Sequence, residues 1–201
     1  MAPGSRAPRE GTSRPHILVA AVVALALFAS AGSTGGRAAA LAGSTVRINA
    51  GGAAYTTGDG RAFVADANFS GGGTFATAAT ISGTTDPKLY QDERWGQFGY
   101  SIPVTNGTYD VTFHFVELYY TAGSCVGKRI FSVEIADTPA SPDIADLDIC
   151  ALAGGANRAL VKTISGVAVC SGSALRISTS AVIDYAAIAA IEVVPSATNI
   201  C

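Results

Sequence analysis

Charge is what this 201-residue chain has little of: Asp, Glu, Lys and Arg make up 14% of it, where roughly a quarter is usual. With 49% hydrophobic residues the scarcity excludes a disordered chain or a charge-laced helical array. The 13 basic and 15 acidic side chains give a net charge of −2 and form no basic cluster, so a nucleic acid is not an expected partner. Signature motifs are missing as well. There is no H-E-x-x-H, no phosphate-cradling glycine loop and no C-x-x-C, so no metal and no cofactor is expected. Histidine is limited to His16 and His114. A Ser-His-Asp or Cys-His arrangement would have to use His114, which sits mid-strand and reads as a packed or solvated side chain. No catalytic residue is expected. A glycosidase needs two opposed carboxylates, and no acidic spacing here points to such a pair. After Phe28 no apolar stretch approaches the roughly 20 residues that span a bilayer.

What is present divides in two. The first 42 residues hold Arg6, Arg9, Arg14 and Arg37 against Glu10, followed by the apolar run Ile17 to Phe28 and then small residues. Basic start, apolar core and small-residue site are the order of a secretory signal, with Ala29-Ser30-Ala31 or Ala40-Leu41-Ala42 fitting the cleavage pattern. Residues 1–42 are thus expected to be a signal peptide and short linker, placing the mature chain in the secretory pathway, either extracellular or in the endoplasmic reticulum lumen. The alternative is an uncleaved anchor, the one case in which a membrane contact is expected. Cys125, Cys150, Cys170 and Cys201 all follow the leader, and an even number in that compartment reads as disulfides with three connectivities open. Asn68-Phe69-Ser70 and Asn106-Gly107-Thr108 are N-glycosylation candidates at Asn68 and Asn106.

The remainder reads as strands. Tyr109, Val111, Phe113 and Phe115 alternate with polar residues, and Phe131 to Ile135 and Leu175 to Ser178 repeat that period of two. Ile188 to Val194 is more uniformly apolar, suiting a strand covered on both faces. Asn106-Gly107 reads as a turn tolerant of positive φ, and the triplet Gly71 to Gly73 as a flexible turn. Short strands punctuated by glycine predict an all-β sandwich over residues 43–195, with a short tail at 196–201. Tyr119-Tyr120 follows the long strand where its alternation breaks and is expected at the rim. Such rings offer an apolar face to a sugar's C–H groups and hydroxyls that stay wet, the alternative being that Tyr90 and Tyr119 cap the edge of the core.

Five blocks in order, Arg47 to Gly52, Leu89 to Trp95, Tyr109 to Tyr120 (YDVTFHFVELYY), Arg129 to Val133 and Ile188 to Pro195, resemble the malectin domain over residues 46 to 195. The resemblance implies a β-sandwich of jelly-roll type and a non-catalytic module that binds glucose-containing oligosaccharide or polysaccharide in an aromatic cleft. Carried over position by position, it implies Tyr90, Tyr119 and Tyr120 as ring contacts, Asp184 as hydroxyl acceptor and Phe75 in place of a family tyrosine. Glu93 and Arg94 are expected to pair structurally. Tyr185-Ala186 stands where the family has Asn-Pro, and Cys125 in the loop after Tyr120 is not a family feature. A cell-wall, matrix or cell-surface domain binding protein partners, its sugar cleft vestigial, is the other expectation.

Overall fold

The structure, a computed structural model, describes residues 43–136, 143–170, 172 and 174–196. The expected signal peptide, most of the C-terminal tail and Cys201 lie outside the described residues. Among those described, no helix is long and apolar enough to cross a membrane.

Among the described residues, twelve strands build two sheets. The first runs β2 (Tyr55–Thr56), β3 (Ala62–Ala65), β1 (Val46–Asn49), β12 (Ala190–Pro195), β6 (Gly107–Phe115), β9 (Leu160–Val169). The second runs β11 (Ala186–Ile188), β5 (Asp92–Pro103), β10 (Ala174–Ile183), β7 (Ile130–Ile135), β8 (Ile144–Leu147), with β4 (Phe69–Ala76) paired to β5. This is the all-β sandwich that the alternation predicts, of the jelly-roll type that the resemblance implies. The three alternating segments are each present as strand, because each puts its apolar residues on one face. Tyr109, Val111, Phe113 and Phe115 of β6 are all buried between the sheets, beside Phe131, Val133 and Ile135 of β7. Burial of each such side chain is worth roughly 1.5–3 kcal/mol.

Three local expectations are corrected. The apolar run Ile188 to Val194 is not one strand: Ala186–Ile188 pairs with β5 in the second sheet and Ala190–Pro195 with β1 and β6 in the first. Ala189 makes the crossing and is held by Ala189 N donating to His114 O and by Ala50 N donating to Ala189 O, 2.9 Å each. A chain passing through the core between sheets is wrapped in apolar side chains on every side, which is why its sequence lacks alternation. Asn106-Gly107 does not close a hairpin, since β5 and β6 belong to different sheets, and neither residue has positive φ. The triplet Gly71 to Gly73 is not a free turn but part of β4, with a register shift between Gly71 and Gly73. Gly71 and Gly72 have φ of 75° and 68°, and a Cβ there would lie 2.6 Å from Gln97 O and 2.7 Å from Trp95 O. Close backbone approach at a bulge admits only glycine.

One disulfide, Cys125–Cys150, ties the loop between β6 and β7 to the short helix α1 (Ile149–Ala153). Cys170 is disulfide-bonded as well.

Candidate functional site, a cleft at the sandwich rim

β4 and β5 run antiparallel with Phe75 opposite Glu93 and Gly73 opposite Trp95. The period of two puts these four positions on one face. Gly73 leaves the room that the indole occupies, since a Cβ there would come 3.3 Å from Trp95 Nε1. Against this face stand the β6–β7 loop, with Tyr119 and Tyr120, and the end of β10, with Asp184 and Tyr185. Together with Thr74 and Arg129 they enclose a cleft of ≈ 390 Å³. Its rim is aromatic and wet: Tyr119 is 67% exposed, Tyr185 47%, Trp95 42% and Phe75 37%. Trp95 and Tyr185 lie 6.5 Å apart at 54°, while Tyr119 and Tyr120 meet edge-on at 5.0 Å.

The polar framework is built around a buried guanidinium. Arg129 Nε donates to Glu117 Oε2 at 2.7 Å, its Nη1 donates to Tyr185 O, and Asp184 Oδ2 lies 3.6 Å from Nη1. Glu117 Oε1 accepts from the backbone N–H of Tyr119 at 2.9 Å and of Tyr120 at 3.0 Å, so one carboxylate orients both rings. Tyr120 Oη donates to Asp184 Oδ2 at 3.0 Å, and that hydrogen bond raises the phenol's pKa. Asp184 sits at φ 58°, in the left-handed region. A non-glycine residue held there, beside the cleft, carries local backbone strain. On the floor lies Glu93, 2% exposed, with Oε2 buried and without a hydrogen-bond partner. Burial pushes its carboxyl up to about 8, Arg129 pulling the other way and Glu117 adding to the rise.

Of the expected contacts, the cleft brings together Phe75, Tyr119, Tyr120 and Asp184. Tyr90 is elsewhere. It ends a 3-10 turn, Pro87–Tyr90, that packs into a second apolar cluster with Phe63, Leu89 and Leu118 on the outer face of the first sheet. There it is 3% exposed and its hydroxyl lies 2.7 Å from His114 Nδ1, so no ring face is left for a sugar. His114 Nε2 in turn meets Glu192 Oε1 at 2.9 Å, and Glu192 is also bound by Arg61 at 2.6 Å and Arg47 at 2.5 Å. With both ring nitrogens engaged, His114 is packed, one of the two readings that the strand pattern leaves open. Arg94 pairs as expected, donating to Asp66 Oδ2 at 2.6 and 2.8 Å and covering Phe69 at 3.4 Å; Glu93, expected to pair, does not. Glu93, Trp95, Tyr185 and Arg129 are cleft residues that the pattern reading missed. The signal for the first two was the i, i+2 spacing of Glu93 and Trp95 in E-R-W.

A larger groove of ≈ 480 Å³ runs beside Asn68, Phe69 and Arg176. It holds no carboxylate, and Arg94 already occupies a face of its exposed ring. Asn68 itself is at φ 64° with Nδ2 buried, which withholds the atom a glycan would join. Asn106 is exposed.

The fold and the cleft define a β-sandwich binding module. The malectin domain profile matches residues 44–191, and the chain belongs to the malectin domain family. Kinesin-like protein KIN-14Q of Arabidopsis thaliana is 31% identical over 123 residues, 59% of this chain and 10% of that protein. Kinesin-like protein KIN-14E of Oryza sativa subsp. japonica is 34% identical over 141 residues, 67% of this chain and 13% of that protein. The chain thus spans only a small part of the curated relatives it matches. Among solved structures, Bacteroides uniformis β-glucuronidase aligns at a TM-score of 0.66 with 18% identity, over 77% of this chain and 18% of that one. The ANXUR1 extracellular domain of Arabidopsis thaliana aligns at 0.65 with 18% identity, over 80% and 54%. At these identities the likeness is one of fold.

Proposed function

We propose that residues 43–195 are a non-catalytic carbohydrate-binding domain that takes a glucose-containing oligosaccharide or polysaccharide in the rim cleft, and that residues 1–42 direct it into the secretory pathway. The observation that carries the reading is the juxtaposition of exposed Phe75, Trp95, Tyr119 and Tyr185 with the Asp184 carboxylate in one cleft. Flat rings receive the C–H faces of a pyranose, and a carboxylate accepts its hydroxyls through charge-assisted bonds. Tyr120 works from behind, holding Asp184 through its hydroxyl.

A glycan array followed by calorimetry tests it. Wild type is expected to bind neutral glucose-containing oligosaccharides, and Tyr119→Ala and Asp184→Ala each to weaken binding at least about 10-fold, the loss of one good contact. An array without any glycan signal, beside capture of a protein ligand by the same surface, would replace this reading with the protein-binding one.

A further inference from the structure

We propose that Glu93 is a ligand-contacting hydrogen-bond donor at the floor of the cleft, and that it sets the site to select uncharged sugars and reject uronates. The inference rests on the sugar-binding reading of the same cleft.

Glu93 lines the cleft while being 2% exposed, and its Oε2 has no partner. An unsatisfied carboxyl oxygen in a dry site is costly and calls for an explanation in each case. Its neighbours are already committed. Arg129 spends its guanidinium on Glu117, Tyr185 O and the approach to Asp184. Glu117 accepts from Arg129 and from two backbone N–H groups, and Asp184 accepts from Tyr120. On the adjoining side of β5, Arg94 is bound to Asp66, and Asp92 lies 3.8 Å from Lys88. Among the described residues, no uncommitted cation is left to hold an ionised Glu93.

Two carboxylates, Glu117 and Asp184, therefore face one guanidinium, and a third negative charge would be unsupported. The proton stays on Glu93 below about pH 8. A protonated carboxyl donates one hydrogen bond and can still accept. With Asp184 accepting at the rim, the cleft then offers a donor inside and an acceptor outside, which suits hydroxyls that give and take. A uronate brings a carboxylate that finds Asp184 and Glu117 but no free cation, and like charges in such a site repel. Once Glu93 ionises it can only accept, so affinity for neutral sugars falls as pH rises through about 8. Tyr120 titrates above its ordinary value of 10 and does not contribute to that fall.

Calorimetry from pH 6 to 9.5 with maltotetraose and laminaritetraose as neutral probes, and an oligoglucuronate as the anionic one, tests this on the full chain. Wild type is expected to lose at least 10-fold in neutral-probe affinity across the range and to bind the uronate at least 10-fold more weakly at pH 6. Glu93→Gln keeps a donor that cannot titrate and is expected to flatten the profile. Glu93→Leu, checked for its melting transition, is expected to bind the neutral probe at least 10-fold more weakly at pH 6. Equal affinity for uronate and neutral probe, an identical pH profile in wild type and Glu93→Gln, or full binding by Glu93→Leu overturns the role of Glu93 while leaving the sugar site standing. No neutral probe bound by wild type at any pH removes the sugar site and this inference with it.

Discussion

Glu93 and Glu192 are both almost fully buried, and their surroundings drive them to opposite states. Burial also raises Glu192, but His114, Arg47 and Arg61 outweigh it and hold the carboxyl at about 2. Its stabilising effect is present above the unfolded value of 4.5 and is lost as pH falls toward 2. Glu93 has the reverse sign: the folded state holds a proton that the unfolded chain gives up near 4.5, so stability declines as pH rises from there to about 8. At about 1.4 kcal/mol for each unit, that decline amounts to a few kcal/mol. Glu93→Gln is expected to abolish it, read as a melting temperature that no longer falls between pH 5 and 8. Glu192→Gln leaves Arg47, Arg61 and His114 facing a neutral amide and is expected to cost about 3 kcal/mol at pH 7. Urea unfolding at pH 7 and at pH 2.5 checks it, the gap to wild type narrowing at the lower pH.

Element geometry is set by where backbone passes close to backbone. The turn after β1 brings Gly51 against the start of β5: its φ is 75°, and a Cβ would sit 2.2 Å from Glu93 O. Gly123, in the loop carrying Tyr119 and Tyr120, has a similar φ of 70° but nothing within 4 Å. Gly123→Ala therefore meets only the conformational penalty of about 1 kcal/mol. Gly51→Ala meets that penalty plus a backbone clash and is expected to cost about 3 kcal/mol or more. Chemical denaturation of the two variants separates the terms. Because Gly51 abuts the carbonyl of Glu93, its substitution is also expected to disturb the cleft floor, whereas Gly123→Ala leaves that floor intact.

At the scale of the molecule, the Cys125–Cys150 bridge joins residues 25 positions apart and fastens the loop bearing Tyr119 and Tyr120 to α1. Asp148 reinforces the joint by accepting from Gly127 N at 2.6 Å and Ala151 N at 2.9 Å. Closing a loop of that length is worth roughly 3 kcal/mol on the chain-entropy account. The double variant Cys125→Ser, Cys150→Ser is expected to lose about that much stability, read as a lower melting temperature, and to bind sugar more weakly through a loosened lip. Scanning calorimetry and the glycan titration read the two effects separately.

The alternation of Tyr109 to Phe115, Phe131 to Ile135 and Leu175 to Ser178 was enough to establish those strands and the sandwich, because side-chain period is a local property of extended backbone. The breakdown of that alternation after Phe115 located Tyr119 and Tyr120 at the rim. The resemblance to the malectin domain, carried over position by position, pointed to Phe75 and Asp184, which lie outside the five shared blocks. Local order could not say which faces would be covered. Tyr90 and Trp95 stand five positions apart as two large rings, yet one is sealed under Leu89 and Phe63 while the other stays wet. Glu93 and Glu192 look alike in sequence, and His114, Arg47 and Arg61, 78, 145 and 131 positions from Glu192, hold one as a carboxylate, while burial without such partners raises the pKa of the other. Covering and charge pairing depend on which distant segments meet, and that is decided by tertiary packing alone.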